Sequence, residues 1–291
     1  MGDNSKIEWT DCTDNIIVVG TGGWWCRKIS PECDNCYAET LNQNTFFGGN
    51  HLSYTGESPS NLILRRDLLA RWARQTKPRK HFVMSLSDVF GEWVPQSWHF
   101  EILDAMLAAP TQTFQLLTKR ANVALKSIKL WMMARGLKEA PAHIWIGFTA
   151  GDQKRFDKRW FYISQLAAYG FTIFVSAEPL LGELILPEPF LRLGKRAQVI
   201  VGGESGKNAR PMSPAWARSL RDQCVAAGVQ YFFKQWGEWA PEIRCDGTAC
   251  HYQSYGWPEP IDLRVHRVGK KAAGRLLDGR EWNQFPEASR A

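Results

Sequence analysis

The sequence predicts an α/β fold: a full or partial (βα) barrel of about six to seven parallel strands, with a small irregular C-terminal extension. Three observations carry this. Short apolar runs alternate with longer segments of helical period along most of the chain. Each run ends in small or polar residues, as barrel strands do where they open into loops. The alternation stops near Gly237, and the remainder is rich in Gly, Pro and Trp. An open doubly wound sheet would show the same alternation and stands as the alternative. The domain reading is 1–237 for the barrel and 238–291 for the extension.

The elements follow in order. Ile16–Val19 is the first apolar run and leads into a cysteine-rich loop. Ser60–Arg74 has helical period and begins at a capping serine. His81–Met84 is the second run and is followed by Ser85, Leu86, Ser87 and Asp88. Pro95 then marks the start of a helix over Gln96–Ala108. Thr113–Leu117 leads into Thr118, Lys119 and Arg120, and Asn122–Arg135 is helical. His143–Ile146 opens onto Gly147, Phe148 and Thr149, before a helix over Gln153–Ala168. Phe171–Val175 ends in Ser176, Ala177, Glu178 and Pro179. Ala197–Val201 ends in Gly202, Gly203 and Glu204. Ser213 and Pro214 cap the helix Pro214–Ala227, and Gly228 terminates it. Val229–Phe233 is the last run and ends in Lys234 and Gln235. Beyond it, Asp278-Gly279 reads as a turn.

In a barrel these strand-end residues gather at one mouth although they are far apart in sequence. Ser85, Ser87, Asp88, Thr118, Thr149, Ser176, Gly202, Gly203 and Glu204 are therefore expected at a cofactor site. Glu178 and Lys234 are the candidate catalytic pair, since both stand at strand ends. Each has a plainer reading. The serines and Asp88 could cap a helix. The glycines could form a turn or let backbone approach closely. Lys119 and Arg120 could pair with Glu178 or meet phosphate. Lys234 could form a salt bridge with Glu204 or Glu178.

The chain has 291 residues and a formal net charge of +7, which points to a polyanionic partner such as nucleic acid or to ordinary surface charge. Basic clusters occur at Arg65, Arg66, Arg71, Arg74, Lys77, Arg79 and Lys80, at Lys154, Arg155, Lys158 and Arg159, and at Lys270, Lys271, Arg275 and Arg280. They read as solvated helix faces or as a phosphate track. No apolar run is long enough to span a bilayer, and no secretory pattern opens the chain, so the expected location is the cytoplasm, with no membrane partner.

Three of the seven cysteines, Cys26, Cys33 and Cys36, lie in one loop with C-x6-C-x2-C spacing. Thiolates in such a loop can reach one metal centre. Structural zinc closes with four ligands, and the nearest further donors, Cys12 and His51, lie outside the loop. Three ligands on a cubane cluster leave one iron open, the arrangement that S-adenosylmethionine (SAM) chemistry requires. Cys12 reads either as a hydrogen-atom donor or as inert packing. Cys245, Cys250 and His251 match no strong zinc spacing.

Several segments besides the cysteine loop carry a resemblance. They are Ser5–Asp11 (SKIEWTD), Cys36-Tyr37-Ala38-Glu39, Ser85–Phe90 (SLSDVF), Ser176–Gly182 (SAEPLLG), Val201–Gly206 (VGGESG) and Phe233–Gly237 (FKQWG). In this order they resemble the phage-associated three-Cys-motif family, a radical-SAM-like group, over nearly the whole chain. The departures from the usual radical SAM pattern are a first gap of six residues in place of three, and Asn35 where an aromatic residue is usual. The segment Asp14–Trp25 is also longer than the family's pattern. The resemblance implies a radical SAM barrel with a [4Fe-4S] cluster on Cys26, Cys33 and Cys36. It implies SAM as cofactor, cleaved to a 5′-deoxyadenosyl radical, and an external electron donor. A weaker, fold-level similarity runs to spore photoproduct lyase, which suggests modification or repair of a nucleic-acid base. The competing expectations are a metal-stabilised nucleic-acid-binding protein without catalysis, and a radical SAM enzyme acting on a protein or small metabolite.

Overall fold

The computed structural model describes residues 4–241, 254–257 and 264–287. In chain order the strands are β1 Cys12–Asp14, β2 Ile17–Val19, β3 Leu62–Leu64, β4 Lys80–Val83, β5 Thr113–Thr118, β6 Ile144–Thr149, β7 Thr172–Ala177, β8 Ala197–Gly202, β9 Gln230–Gln235, β10 Trp239–Ala240, β11 Ser254–Gly256 and β12 Arg264–Arg267. The helices are α1 Tyr37–Asn42, α2 Arg66–Trp72, α3 Gln96–Leu107, α4 Ala121–Ala134, α5 Gln153–Ala168, α6 Glu188–Leu191, α7 Pro214–Ala227 and α8 Lys270–Ala273.

One parallel sheet holds seven strands in the order β1-β4-β5-β6-β7-β8-β9. The order follows the sequence without reversal. A doubly wound sheet reverses its strand order at a switch point, so that alternative is set aside and the singly wound α/β arrangement holds. β6, β7 and β8 are buried at every position, as strands covered on both faces are.

Two of the expected elements change. Ile17–Val19 is not a strand of the main sheet. It pairs antiparallel with Leu62–Leu64 in a separate two-stranded ribbon. The first strand of the main sheet is Cys12–Asp14, which pairs in parallel with His81–Val83. Three residues with a central threonine carry no apolar run, so the pattern passed over them. The segment Ser60–Arg74, expected as one helix, is strand β3 followed by the short helix α2. Leu62-Ile63-Leu64 finds strand partners in β2, and that pairing overrides the helical period. The second run also stops one residue early. Met84 has φ +62 and turns the backbone out of β4 toward Ser85.

Contact clustering divides the chain into two compact units. Among the described residues the first holds 4–148 and 158–174, and the second holds 149–157 and 175–287. In the first unit, α3 buries His99, Ile102, Leu103 and Met106, and α4 buries Ala124, Ile128, Trp131 and Met132. Both stripes have the spacing of one helix face. In the second unit, α7 starts at Ser213, whose hydroxyl accepts from Ala215 N at 3.3 Å, and ends at Gly228 with φ +71. Its buried stripe is Ala217, Leu220 and Cys224. Each fully buried leucine of this kind contributes about 1.5–3 kcal/mol.

The C-terminal segment is β-rich. β10, β12 and β11 form an antiparallel sheet. Residues 282–284 then run along β9: Phe233 N donates to Trp282 O at 3.0 Å, and Gln284 N donates to Tyr231 O at 3.2 Å. The exposed edge of β9 is thereby covered, which removes an unpaired strand edge. The Asp278-Gly279 turn is present, with both residues at positive φ (53° and 79°) and Leu277 bridged to Arg280.

Asp278 holds this turn to α7. Its carboxylate accepts from Arg218 Nε at 2.9 Å and pairs with Arg221. The Arg218 hydrogen bond, with that of Arg221, holds the Asp278 carboxyl below the usual aspartate range. A carboxyl depressed in this way binds fewer protons folded than unfolded. Its stabilisation is complete above the unfolded value and is lost as pH falls through the folded one. The urea midpoint of the wild type is thus expected to drop between about pH 5 and pH 2 more steeply than that of Asp278→Asn. Asparagine tolerates the positive φ, so the variant keeps the turn. Equal slopes for the two proteins would refute the linkage.

Candidate functional site

In the first unit, the three cysteines of the loop are built on different local geometry. Cys26 follows the buried Trp25, Cys33 closes a 3₁₀ turn over Pro31–Cys33, and Cys36 is the N-terminal flanking residue of α1. None of the three is in a disulfide. Cys33 is buried, and Cys26 and Cys36 are half-buried against a small apolar cluster of Ala38, Tyr54 and Leu86. Burial pushes the Cys26 thiol up to about 12, and Asp88 adds to this, while Arg120 and Lys119 pull it down. A metal held there has to displace a firmly bound proton.

This loop is pinned at several points, two of them through side chains that follow β4 and β5. Ser87 Oγ donates to Trp25 O at 2.5 Å. Arg120 Nη2 donates to Arg27 O at 2.9 Å. Lys28 N donates to Tyr54 O at 3.0 Å, and Lys28 Nζ pairs with Glu39 at 2.5 Å. Arg159, on α5, pairs with Glu32 at 2.7 Å and donates to Ser30 Oγ at 2.9 Å.

Two of these anchors are ion pairs withdrawn from water. Arg120 and Asp88 have side chains 2% and 6% exposed, and Arg159 and Glu32 are 6% and 1% exposed. Charges this deep are stable only when paired and hydrogen-bonded. The structure supplies the partners. Asp88 accepts from Thr118 Oγ1 at 2.8 Å, Lys119 N at 3.0 Å, Phe90 N at 3.0 Å and Arg120 Nη1 at 3.2 Å. Arg120 also reaches Glu92 at 2.7 Å and lies over the Trp93 ring at 4.4 Å.

Of the expected cofactor residues, Ser85, Ser87, Asp88 and Thr118 belong to this assembly. Their polar atoms brace the loop and one another. Ser85 Oγ meets Asn15 at 3.2 Å, and its carbonyl accepts from Tyr37 Oη at 2.7 Å. Two readings of the basic residues change here. Arg120 pairs with Asp88 and Glu92. Arg159, read as part of a basic surface cluster, is a buried partner of Glu32. Glu32 and Arg159 lie 127 positions apart, and nothing local in the sequence joins them.

The first unit also has a cavity of about 280 Å³ lined by Asn15, Val18, Trp24, Arg65, Leu68 and Arg71. Trp24 Nε1 is buried and has no hydrogen-bond partner among the described residues. A further group that could hold a metal ion is Cys12, Asp14 and His81, whose ligand atoms all lie within 4.8 Å of one another.

The second unit holds the other expected residues. Glu178 Oε1 and Lys234 Nζ form an ion pair at 2.8 Å. Ser176 Oγ donates to Glu178 Oε2 at 3.3 Å. Thr149 and Ser176 are buried. Gly202 leaves room for this carboxylate, since a Cβ there would stand 2.9 Å from Glu178 Oε1. Gly203 serves backbone packing: a Cβ would stand far inside the normal contact distance from the Trp236 carbonyl oxygen. Glu204 is buried and held by Arg210, with Nη2 at 2.6 Å from Oε1 and Nε at 2.9 Å from Oε2. Lys234 thus pairs with Glu178, and Glu204 takes Arg210. Cys245, Cys250 and His251 lie outside the described residues.

Fold and loop together define an α/β protein whose sequentially ordered parallel sheet presents a braced three-thiol loop beside its strand ends. Over residues 4–286 the chain matches the family described as Protein of unknown function (DUF5131), and it belongs to that family. Neither the curated proteins nor the solved structures show a match to it. Among the described residues, no helix is long and apolar enough to cross a membrane.

Proposed function

We propose that the chain is a radical SAM enzyme whose [4Fe-4S] cluster is held by Cys26, Cys33 and Cys36. The observation that supports this most is the bracing of the loop. Two buried ion pairs, Arg120–Asp88 and Arg159–Glu32, fix a segment whose distinctive content is three unpaired thiols. A loop that merely connected two elements would not require buried charge to hold it. The donor set fits an iron–sulfur group, because soft thiolates are its usual ligands. When bound, cluster and SAM supply reductive cleavage of the sulfonium and abstraction of a substrate hydrogen atom, with the electron coming from an external donor. The chain's own residues hold the loop backbone through Ser87 and Arg120, hold its Glu32 and Ser30 side chains through Arg159, and shield Cys33 from water. Glu178 and Lys234 are the pair assigned to substrate in the second unit.

For the substrate, the reading is a nucleic-acid base. It is supported by the net charge of +7 and by the cavity that Arg65, Arg71 and Trp24 line, two residues from Cys26. Arginine and an indole are the groups that receive phosphate and a base face. Binding of single-stranded DNA or RNA is expected to weaken as salt rises. Salt-independent binding, or none, would favour a protein or small-metabolite substrate.

Anaerobic reconstitution tests the central claim. It should give about four iron and four sulfide per chain, and 5′-deoxyadenosine from SAM under a strong reductant. Cys36→Ala is expected to lose both. A loop that takes up zinc and refuses iron would sink the proposal.

A further inference from the structure

We propose that Cys12, Asp14 and His81 form a second metal site, for a single zinc ion, independent of the three-cysteine loop. The three side chains come from the pairing of β1 with β4. Cys12 stands opposite His81 in the register, and Asp14 is two residues on, so both β1 side chains share one face of the strand. All three are buried, with exposures of 3%, 4% and 1%. His81 Nδ1 lies 2.6 Å from Asp14 Oδ2 and 3.2 Å from Cys12 Sγ.

The hydrogen-bond directions around the ring leave Nδ1 as the nitrogen that meets the other two side chains. His81 Nε2 faces Gln112 Oε1 at 3.2 Å. The orientation of that amide is fixed independently. Gln112 Nε2 donates to Gln75 O at 2.9 Å and Lys77 O at 3.2 Å, and Oε1 accepts from Arg79 N at 3.1 Å. Oε1 is therefore an acceptor, and Nε2 of His81 carries its hydrogen. Nδ1 faces a carboxylate oxygen and a sulfur, and the three atoms are satisfied either by a second ring proton donated to Asp14 Oδ2, with the Cys12 thiol donating to Lys80 O at 3.4 Å, or by a metal ion that replaces those protons.

The surroundings are those of a metal centre. A ligating histidine usually donates its other ring N–H to an oxygen acceptor, and a ligating carboxylate is itself hydrogen-bonded. Here Gln112 holds the ring, and Trp72 Nε1 donates to Asp14 Oδ2 at 3.0 Å. The rings of Trp72 and Phe114 pack against His81 at 6.4 Å and 5.3 Å between centroids and form an apolar wall. Sulfur, imidazole nitrogen and carboxylate oxygen are all zinc donors, and a mixed set of this kind does not suit an iron–sulfur cluster. Asp14 Oδ1 takes part in none of these hydrogen bonds, so the carboxylate would bind through both oxygens or leave the fourth position to water. Uptake of Zn²⁺ displaces the thiol proton of Cys12 and any proton between Nδ1 and Oδ2.

The test uses the full chain with the loop disabled, Cys26→Ala, Cys33→Ala and Cys36→Ala together. It is equilibrated with zinc, desalted, and analysed for metal by mass spectrometry. About one zinc per chain is expected, falling to background when Cys12→Ser is added. A folded triple variant without zinc, or zinc that survives Cys12→Ser, overturns the proposal. If the triple variant does not fold, the reconstituted wild-type chain is compared with reconstituted Cys12→Ser. Loss of zinc with iron unchanged supports the second site, and zinc retained overturns it. Failure of iron to enter the loop tells against the radical SAM reading alone.

Discussion

Asp88→Ala is expected to cost about 3–5 kcal/mol of folding stability, read from the urea midpoint at constant m value. The Asp88 carboxylate receives four hydrogen bonds in a site closed to water. Alanine strands the Thr118 hydroxyl and the Lys119 N–H, and it leaves the Arg120 guanidinium buried with only half of its countercharge. Glu92 remains as a partner but is half exposed, so it offsets little of the loss. The effect reaches the loop because Arg120 also holds Arg27 O. Iron uptake in anaerobic reconstitution should fall together with stability. Asp88→Asn keeps one acceptor oxygen and should be milder on both counts. A stability loss under about 1 kcal/mol for the alanine variant would mean that the pair does not brace the loop.

The second large effect is expected from Gly203→Ala, at about 3 kcal/mol, the upper end of the usual overpacking range. The obstacle is main chain: the Trp236 carbonyl occupies the place a Cβ would take, and β9 cannot yield without breaking its pairing with β8. Gly202→Ala makes the contrast. Its obstacle is the carboxylate end of Glu178, which can swing aside. That variant should fold nearly as well as wild type while losing the Glu178–Lys234 pair. The two adjacent glycines are thus separable by thermal unfolding on one side and activity on the other. Equal thermal shifts for both would overturn the assignment of Gly203 to backbone packing.

The strand ends were legible because a parallel strand covered on both faces leaves a continuous apolar run. Thr113–Leu117 and Ala197–Val201 each lie within an observed strand, and Phe171–Val175 starts one residue before β7. Helix α7 was legible at both ends, since Ser213 and Gly228 meet backbone requirements that few other residues satisfy. β1 was not, because three residues with alternating character leave no run to detect. β3 was misread because Leu62-Ile63-Leu64 fits either period, and its partner β2 lies over forty residues away in sequence. Cysteine spacing picked out Cys26, Cys33 and Cys36, but the same spacing says nothing of what holds them.

The sequence by itself determined the alternation of strand and helix, the end of that alternation near Gly237, and the clustering of three thiols in one loop. These depend on local period, capping and proximity along the chain, which are written residue by residue. Tertiary structure alone decided the partners: Arg159 with Glu32, Arg120 with Asp88, Glu204 with Arg210, and Cys12 with Asp14 and His81. A charged side chain carries no mark of whether it will be solvated or buried. That is settled only when the fold brings an opposite charge or a donor within hydrogen-bond reach and excludes water from between them.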